Sequence, residues 1–234
     1  MKKVGIMIFA VALTIGLVVS NMFSFGRSDS KFFNFSFNFR GVPGSGNATS
    51  EKRDLSGFKS VEVGGVFQVE ITAQKEYSVE VFADDNLLPL IKTEVDGNTL
   101  SIETERRISP SSPIRVRISA PDINKLDISG VANVTLNDIK NDNLAIDSSG
   151  ASKIAVTGQT GKLSIDVSGA SKIDAENLKA ENASVESSGA SKINVNVSGE
   201  LRSNLSGASR VVYTGTPTNI VTKKSGGSGV SQKQ

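Results

Sequence analysis

The sequence Ser149-Gly-Ala-Ser-Lys-Ile154 returns almost unchanged as Ser168-Gly-Ala-Ser-Lys-Ile173, Ser188-Gly-Ala-Ser-Lys-Ile193 and Ser206-Gly-Ala-Ser-Arg-Val211. A looser copy, Ser129-Gly-Val-Ala-Asn-Val134, precedes them. The glycines of these five copies are 20, 19, 20 and 18 residues apart. A nearly fixed period of this length indicates stacked structural repeats, in which each copy buries its apolar side against its neighbours.

Apolar and polar residues alternate on both sides of each glycine, as in Leu163, Ile165 and Val167 before Gly169. A period of two predicts β-strands. One repeat has room for about three short strands and their corners, which is one turn of a parallel β-helix. We therefore predict an all-β fold, a single-stranded parallel β-helix with 19–20-residue coils. The variable spacing favours the right-handed form, because a left-handed helix of hexapeptides would keep a stricter period.

The glycines are expected at the corners of the coils, where a close backbone approach leaves no room for a side chain. The segment Val61 to Ile71 aligns with Leu126 to Leu136, which adds an earlier corner. The long gap between these segments predicts three further coils, with a hairpin at Asp96-Gly97. The predicted structural corners are Gly65, Gly130, Gly150, Gly169, Gly189 and Gly207.

The run from Gly57 to Ile71, followed by Asp85-Asn-Leu-Leu88, Gly97-Asn-Thr-Leu-Ser-Ile102 and the serial Ser-Gly-Ala-Ser phrases, resembles a bacterial family. This is the putative auto-transporter adhesin family known as the head GIN domain. The resemblance covers about residues 45–225. It implies a right-handed β-helix displayed in the envelope of a bacterium, and it provides no catalytic residues to carry over.

The front of the chain has the features of an export signal. A charged start, Met1-Lys-Lys3, precedes residues 4–20, which carry no charge. Because this stretch is at the lower limit for crossing a bilayer, a cleaved signal and a retained anchor both remain open. We predict a signal peptide or transmembrane anchor helix in residues 1–22, a Phe-rich juxtamembrane or cap segment in 23–40, the β-solenoid in 41–228 and a disordered tail in 229–234.

The composition excludes several kinds of chemistry. The chain has no Cys and no His, which removes disulfides, Cys nucleophiles, Ser-His-Asp triads and the usual zinc sites. We therefore expect no enzymatic activity, no cofactor and no metal site. With 26 Lys and Arg against 24 Asp and Glu, the chain is nearly neutral, and nothing indicates a nucleic-acid partner.

Charged residues recur three positions before and three positions after the glycines, and both positions point outward by alternation. They predict an acidic and a basic column that either compensate each other or form a working surface. The predicted surface ladder consists of Asp127, Asp147, Asp166 and Glu186 on the acidic side and Lys153, Lys172, Lys192 and Arg210 on the basic side.

These features predict an exported protein of the cell envelope, membrane-anchored, periplasmic or on the cell surface. Its predicted function is that of a non-catalytic, adhesin-like binding module with a repetitive surface. Expected partners are the membrane, through the N-terminal segment, and a glycan, peptidoglycan or a surface protein; self-association is a further possibility. The alternatives are a structural envelope protein that assembles with itself and a polysaccharide-active β-helix enzyme.

Overall fold

The computed structural model describes residues 41–233. The predicted signal or anchor helix in 1–22 and the Phe-rich segment in 23–40 lie outside these residues. The predicted all-β class is confirmed, since the described chain forms a β-solenoid of about five turns. The handedness of the coils stays a prediction.

The N-terminal part contains nine strands and one short 3-10 helix. They are β1 (Val42–Pro43), β2 (Ala48–Arg53), β3 (Ser60–Gly64), β4 (Val66–Thr72), β5 (Ser78–Asp84), the 3-10 helix Leu88–Leu90, β6 (Ile91–Asp96), β7 (Thr99–Thr104), β8 (Ile108–Ser109) and β9 (Arg115–Ser119). The strands of the coils are β10 (Lys125–Ile128), β11 (Val131–Ser148), β12 (Lys153–Val167), β13 (Lys172–Ser187), β14 (Lys192–Val197), β15 (Glu200–Leu205), β16 (Arg210–Thr214), β17 (Asn219–Lys224) and β18 (Gly229–Gln232).

Successive coils pair in parallel and keep the repeat in register. In β11, β12 and β13, Ile146 lies opposite Ile165, and Ile165 lies opposite Val185. The long strands bend within each coil, so that the first part of β11 pairs with β4 and its last part pairs with β10. Each coil therefore places equivalent residues directly above one another.

The core is a stack of Leu, Ile and Val side chains from the inward positions of the coils. Leu126, Ile146, Ile165 and Val185 are at most 1% exposed. Burial of one such side chain stabilises a fold by about 1.5–3 kcal/mol. Here each of these side chains packs against the equivalent side chains of the adjacent coils. The buried core of the described residues runs from Phe58 to Val211, so we expect residues 41–234 to fold on their own.

The prediction of three coils between Gly65 and Gly130 is wrong. Val61 pairs directly with Leu126, so β3 and β4 occupy the coil next to β10 and β11. The intervening residues instead extend the sheets at the N-terminal end: β7 and β9 add in parallel, whereas β2, β5 and β6 add antiparallel strands. The hairpin is present, with β6 and β7 joined across Gly97, which has a φ of +59°.

The prediction of a disordered tail in residues 229–234 is wrong for residues 229–232, which form β18. This strand pairs with β16 and places Val230 opposite Val211. An ion pair of 2.6 Å between Lys233 Nζ and Glu176 Oε1 follows it. The Gly- and Ser-rich composition suggested disorder, but Val230 packs against the core and holds the segment in the sheet. Within residues 41–233, no helix has the length and apolar character to span a membrane.

Candidate binding groove

The predicted corner glycines form a column along one edge of the solenoid. The Ala170 N–H donates to the Gly150 carbonyl at 3.1 Å, and equivalent bonds join the other corners. A Cβ placed on Gly169 would lie 1.9 Å from that same carbonyl oxygen. Close approach of the backbones therefore requires glycine at this corner. The column contains Gly65, Gly130, Gly150, Gly169, Gly189 and Gly207.

A row of buried serines lies beside the glycine column. The Ser171 hydroxyl lies 2.9 Å from the Ser148 hydroxyl and 3.1 Å from the Ser152 hydroxyl, and it donates to the Gly150 carbonyl at 3.3 Å. Because these hydroxyl groups bond to one another and to the backbone across the coils, they join the coils as structural contacts. The row contains Ser152, Ser171, Ser191 and Ser209.

The residues directly after the first five corner glycines form an apolar strip on the outside of the corner. Val66 and Val131, which lie opposite each other, are 70% and 57% exposed. At a strand spacing of about 4.8 Å, the strip is about 19 Å long. We define the apolar strip as Val66, Val131, Ala151, Ala170 and Ala190.

The basic column runs parallel to the apolar strip, two residues further along each strand. Lys172 lies opposite Lys153 on one side and Lys192 on the other, and Lys192 lies opposite Arg210. All four side chains are exposed. Among residues 41–233, none of the four forms an ion pair. Cations at the coil spacing repel by about 0.9 kcal/mol per neighbouring pair in water, so a bound anion would relieve this repulsion.

The same position of the repeat holds Asn133 and Gln68, which continue this row beyond Lys153. Sequence reasoning missed Arg115, which lies opposite Gln68 at the start of the row. Arg115 is outside the repeated phrase and therefore did not appear in the ladder. An alignment of Ile114-Arg-Val-Arg-Ile118 with Phe67-Gln-Val-Glu-Ile71 would have found it, because the apolar positions coincide. Every side chain in the extended row can donate hydrogen bonds.

The acidic column lies on the other side of the corner. Asp147 lies opposite Asp127 and Asp166, and Asp166 lies opposite Glu186. Lys125 Nζ contacts Asp147 Oδ2 at 3.0 Å and Asp127 Oδ2 at 3.7 Å. The hydrogen bond to Asp147 is the main reason that the pKa of Lys125 is raised. In the described part of the chain, Lys125 thus compensates Asp127 and Asp147, whereas Asp166, Glu186 and the whole basic column form no ion pair.

A groove of about 720 Å³ follows the corner between Val66 and Lys192. The apolar strip and three lysines of the basic column line it, whereas Arg210 lies beyond its end. Residues 110–114, between β8 and β9, form part of the lining at the end near Val66. The volume lies within the usual range for ligand sites.

Asp84 holds this part of the groove in place. The side chain is 2% exposed, its Oδ1 accepts the Gly46 N–H at 2.8 Å and its Oδ2 accepts the Ser111 N–H at 2.9 Å. One carboxylate thus joins the loop around Gly46 to the segment 110–114. The repeat contains no signal for this contact, since none of the three residues belongs to it.

The described residues offer no metal centre. Between residues 41 and 233, His, Cys, Asp and Glu side chains nowhere gather in a group of three or more that could hold a metal ion. The groove presents apolar surface, amide groups and cations, which suit an anionic ligand.

Comparison with known proteins finds a family model described as putative auto-transporter adhesin, head GIN domain, which matches residues 57–217. No curated protein matches the chain. Among solved structures, a putative adhesin from Bacteroides fragilis aligns with a TM-score of 0.69 at 20% identity, over 82% of this chain and 100% of that one. A putative lipid binding protein from Parabacteroides distasonis aligns with a TM-score of 0.50 at 18% identity, over 83% of this chain and 100% of that one. At these identities the similarity shows the fold alone.

Proposed function

The chain belongs to the head GIN domain family of putative auto-transporter adhesins, and on that premise we propose that it is an exported binding module of the cell envelope without catalytic activity. Its ligand is an elongated anionic molecule of a cell surface, held in the groove along the basic column. The observation that supports this proposal best is the row of four exposed cations, one per coil, that form no ion pair within residues 41–233.

A row of cations favours a repetitive ligand. One exposed ion pair contributes only about 0.2–1 kcal/mol. A ligand that carries several linked anionic groups places the second and later contacts at a high effective concentration, and affinity rises without any new kind of contact. The basic column is about 14 Å long at the coil spacing. We expect affinity to increase with the length of the ligand until it covers the column.

The arrangement of charge favours binding over catalysis. A polysaccharide-active enzyme needs acids and bases that converge on one reacting bond. Here Asp166, Glu186 and Lys172 belong to columns that repeat once per coil, and the acidic and basic columns lie on opposite sides of the corner. The buried serines bond to other hydroxyl groups and to backbone atoms, and within residues 41–233 these bonds include no base that could activate a serine as a nucleophile.

Self-assembly from end to end is the second candidate, and the outer edges of β17 and β18 favour it. Within the described chain, each strand pairs on one side only, and Ile220 and Val221 of β17 are 42% and 41% exposed. Lys223 and Lys224 in the same strand oppose it, because lysines on an edge strand hinder pairing with another chain. A segment that stays monomeric at high concentration in sedimentation would count against assembly.

The experiment that tests the proposal is the binding of residues 41–234 to intact cells, peptidoglycan and a glycan panel. A first variant reverses the charge of Lys153, Lys172, Lys192 and Arg210. A matched control reverses the same number of exposed lysines outside the groove, namely Lys75, Lys140, Lys162 and Lys179. The proposal predicts saturable binding that is lost in the first variant and kept in the control. Equal binding of both variants, or no binding by the unmodified segment, would refute it.

A further inference from the structure

The two ends of the groove differ in chemistry. At the end near β4 lie Val66 and Val131, both largely exposed, and Pro110 and Pro113 also line the groove. Exposed apolar side chains of this size are rare in the described chain, where the only others are Ile220 and Val221 at the far end of the solenoid. Contiguous exposed apolar surface in a groove is typical of a site that receives an apolar group.

The other end is cationic. From the coil of Ala151 onward, the apolar strip contains only alanines. In the row beside the strip, the neutral amides Gln68 and Asn133 are followed by the cations Lys153 and Lys172. An apolar end and a cationic stretch therefore lie on one line about 19 Å long.

From this asymmetry we infer that the groove is directional and takes an anionic amphiphile, a ligand with an apolar chain at one end and one or more anionic groups after it. The apolar chain lies against Val66 and Val131, and the anionic groups lie along Lys153, Lys172 and Lys192. The inference rests on the proposed function, because it concerns the same groove, and it adds the chemical class of the ligand.

The segment 110–114 gives the apolar end its wall and fixes the direction. Asp84 accepts the Ser111 N–H and so ties this segment to the loop at Gly46. A ligand that carries only anions leaves the apolar side chains of Val66 and Val131 exposed to water. A ligand that carries only an apolar chain leaves the lysines without anions. A ligand with both parts uses the whole groove.

Calorimetric titration of residues 41–234 with three probes separates these cases. Dodecanoate has an apolar chain and a carboxylate, dodecyl maltoside has the same chain with an uncharged head, and inorganic polyphosphate has many anions and no chain. Dodecanoate and dodecyl maltoside are used below the concentrations at which they form micelles. The inference predicts saturable binding of dodecanoate, at least about tenfold tighter than that of dodecyl maltoside.

Two variants locate the apolar end. V66S combined with V131S shortens and polarises two exposed side chains, so the fold should be retained, and an unchanged melting temperature checks this. This double variant should weaken dodecanoate binding at least about tenfold and leave polyphosphate binding unchanged. Charge reversal of Lys153, Lys172 and Lys192 should abolish both, whereas reversal of Lys140, Lys162 and Lys179 should change neither.

The outcomes distinguish the inference from the proposed function. Polyphosphate binding without dodecanoate binding would overturn the inference and leave the basic groove as the binding site. Dodecanoate binding that survives V66S with V131S would also overturn it, because the chain would then lie elsewhere. Failure of both probes would overturn the inference, and the proposed function would fall only if the segment also fails to bind cells, peptidoglycan and glycans.

Discussion

Replacement of Gly169 by alanine is expected to separate two coils in the middle of the solenoid. The added Cβ would lie 1.9 Å from the Gly150 carbonyl oxygen and 2.9 Å from its carbon. Because contacts below 3.0 Å essentially do not occur for a Cβ, the two backbones must move apart by about 1 Å. The φ of Gly169 is not in the left-handed region, so this contact alone produces the effect.

The cost follows from the hydrogen bonds that meet at this oxygen. It accepts the Ala170 N–H at 3.1 Å and the Ser171 hydroxyl at 3.3 Å. Loss of each bond costs about 1 kcal/mol, and the forced backbone shift adds about 1–3 kcal/mol. We expect Gly169→Ala to lower the free energy of unfolding by about 4 kcal/mol, which corresponds to a fall in melting temperature of roughly 10 °C.

Urea unfolding followed by circular dichroism, with a thermal melt beside it, measures this change. Gly229→Ala is the matched control, because its Cβ would meet no atom within 4 Å and its φ is not in the left-handed region. The control should stay within about 0.5 kcal/mol of the unmodified segment. A Gly169→Ala variant as stable as the control would refute the argument that close approach selects glycine at the corners.

Three further substitutions test other contacts. Ser171→Ala should lower the free energy of unfolding by about 1–2 kcal/mol in urea unfolding, since the buried Ser148 and Ser152 hydroxyl groups and the Gly150 carbonyl each lose one hydrogen bond, whereas the exposed Ser168→Ala should change it by less than about 0.5 kcal/mol. Asp84→Ala should cost about 2–3 kcal/mol, because two backbone amides lose a carboxylate acceptor; an unchanged stability would contradict its role as a tie. The pKa of Lys125 is raised, mainly by its hydrogen bond to Asp147. The charged lysine therefore stabilises the fold fully at pH values below 10.5, the ordinary pKa of a lysine, and this contribution is lost as the pH rises through the raised pKa. Lys125→Gln should therefore cost less than about 1 kcal/mol near neutral pH and nothing above the raised pKa, and a difference that persists there would contradict the electrostatic explanation.

The repeated part of the fold could be predicted from the sequence because each coil repeats the same local rule. Alternation around Gly169 fixed which side chains point inward, and the repeat length placed Lys153 and Lys172 in one column. The buried serine row has the same alternation. All of these features depend on a short repeated sequence, so the inward and outward positions of one coil predict those of the adjacent coils.

The parts that could not be predicted depend on contacts between distant, unrepeated residues. Chain length between Gly65 and Gly130 suggested extra coils, but antiparallel strands used those residues to extend the sheets outward. Asp84 and Ser111, which form a hydrogen bond, are 27 residues apart in the sequence, and no sequence pattern predicts their contact. The part of the groove lined by residues 110–114 could therefore be identified only from the three-dimensional structure.

The central claim, that the groove along the basic column binds an anionic ligand, is tested most directly by lysine labelling. Residues 41–234 are treated with an amine-reactive reagent, alone and with polyphosphate, and modification is measured at each lysine by mass spectrometry. We predict a several-fold loss of reactivity at Lys153, Lys172 and Lys192, with Lys140, Lys162 and Lys179 unchanged. Equal protection of all six lysines, or protection confined to the second set, would contradict the claim.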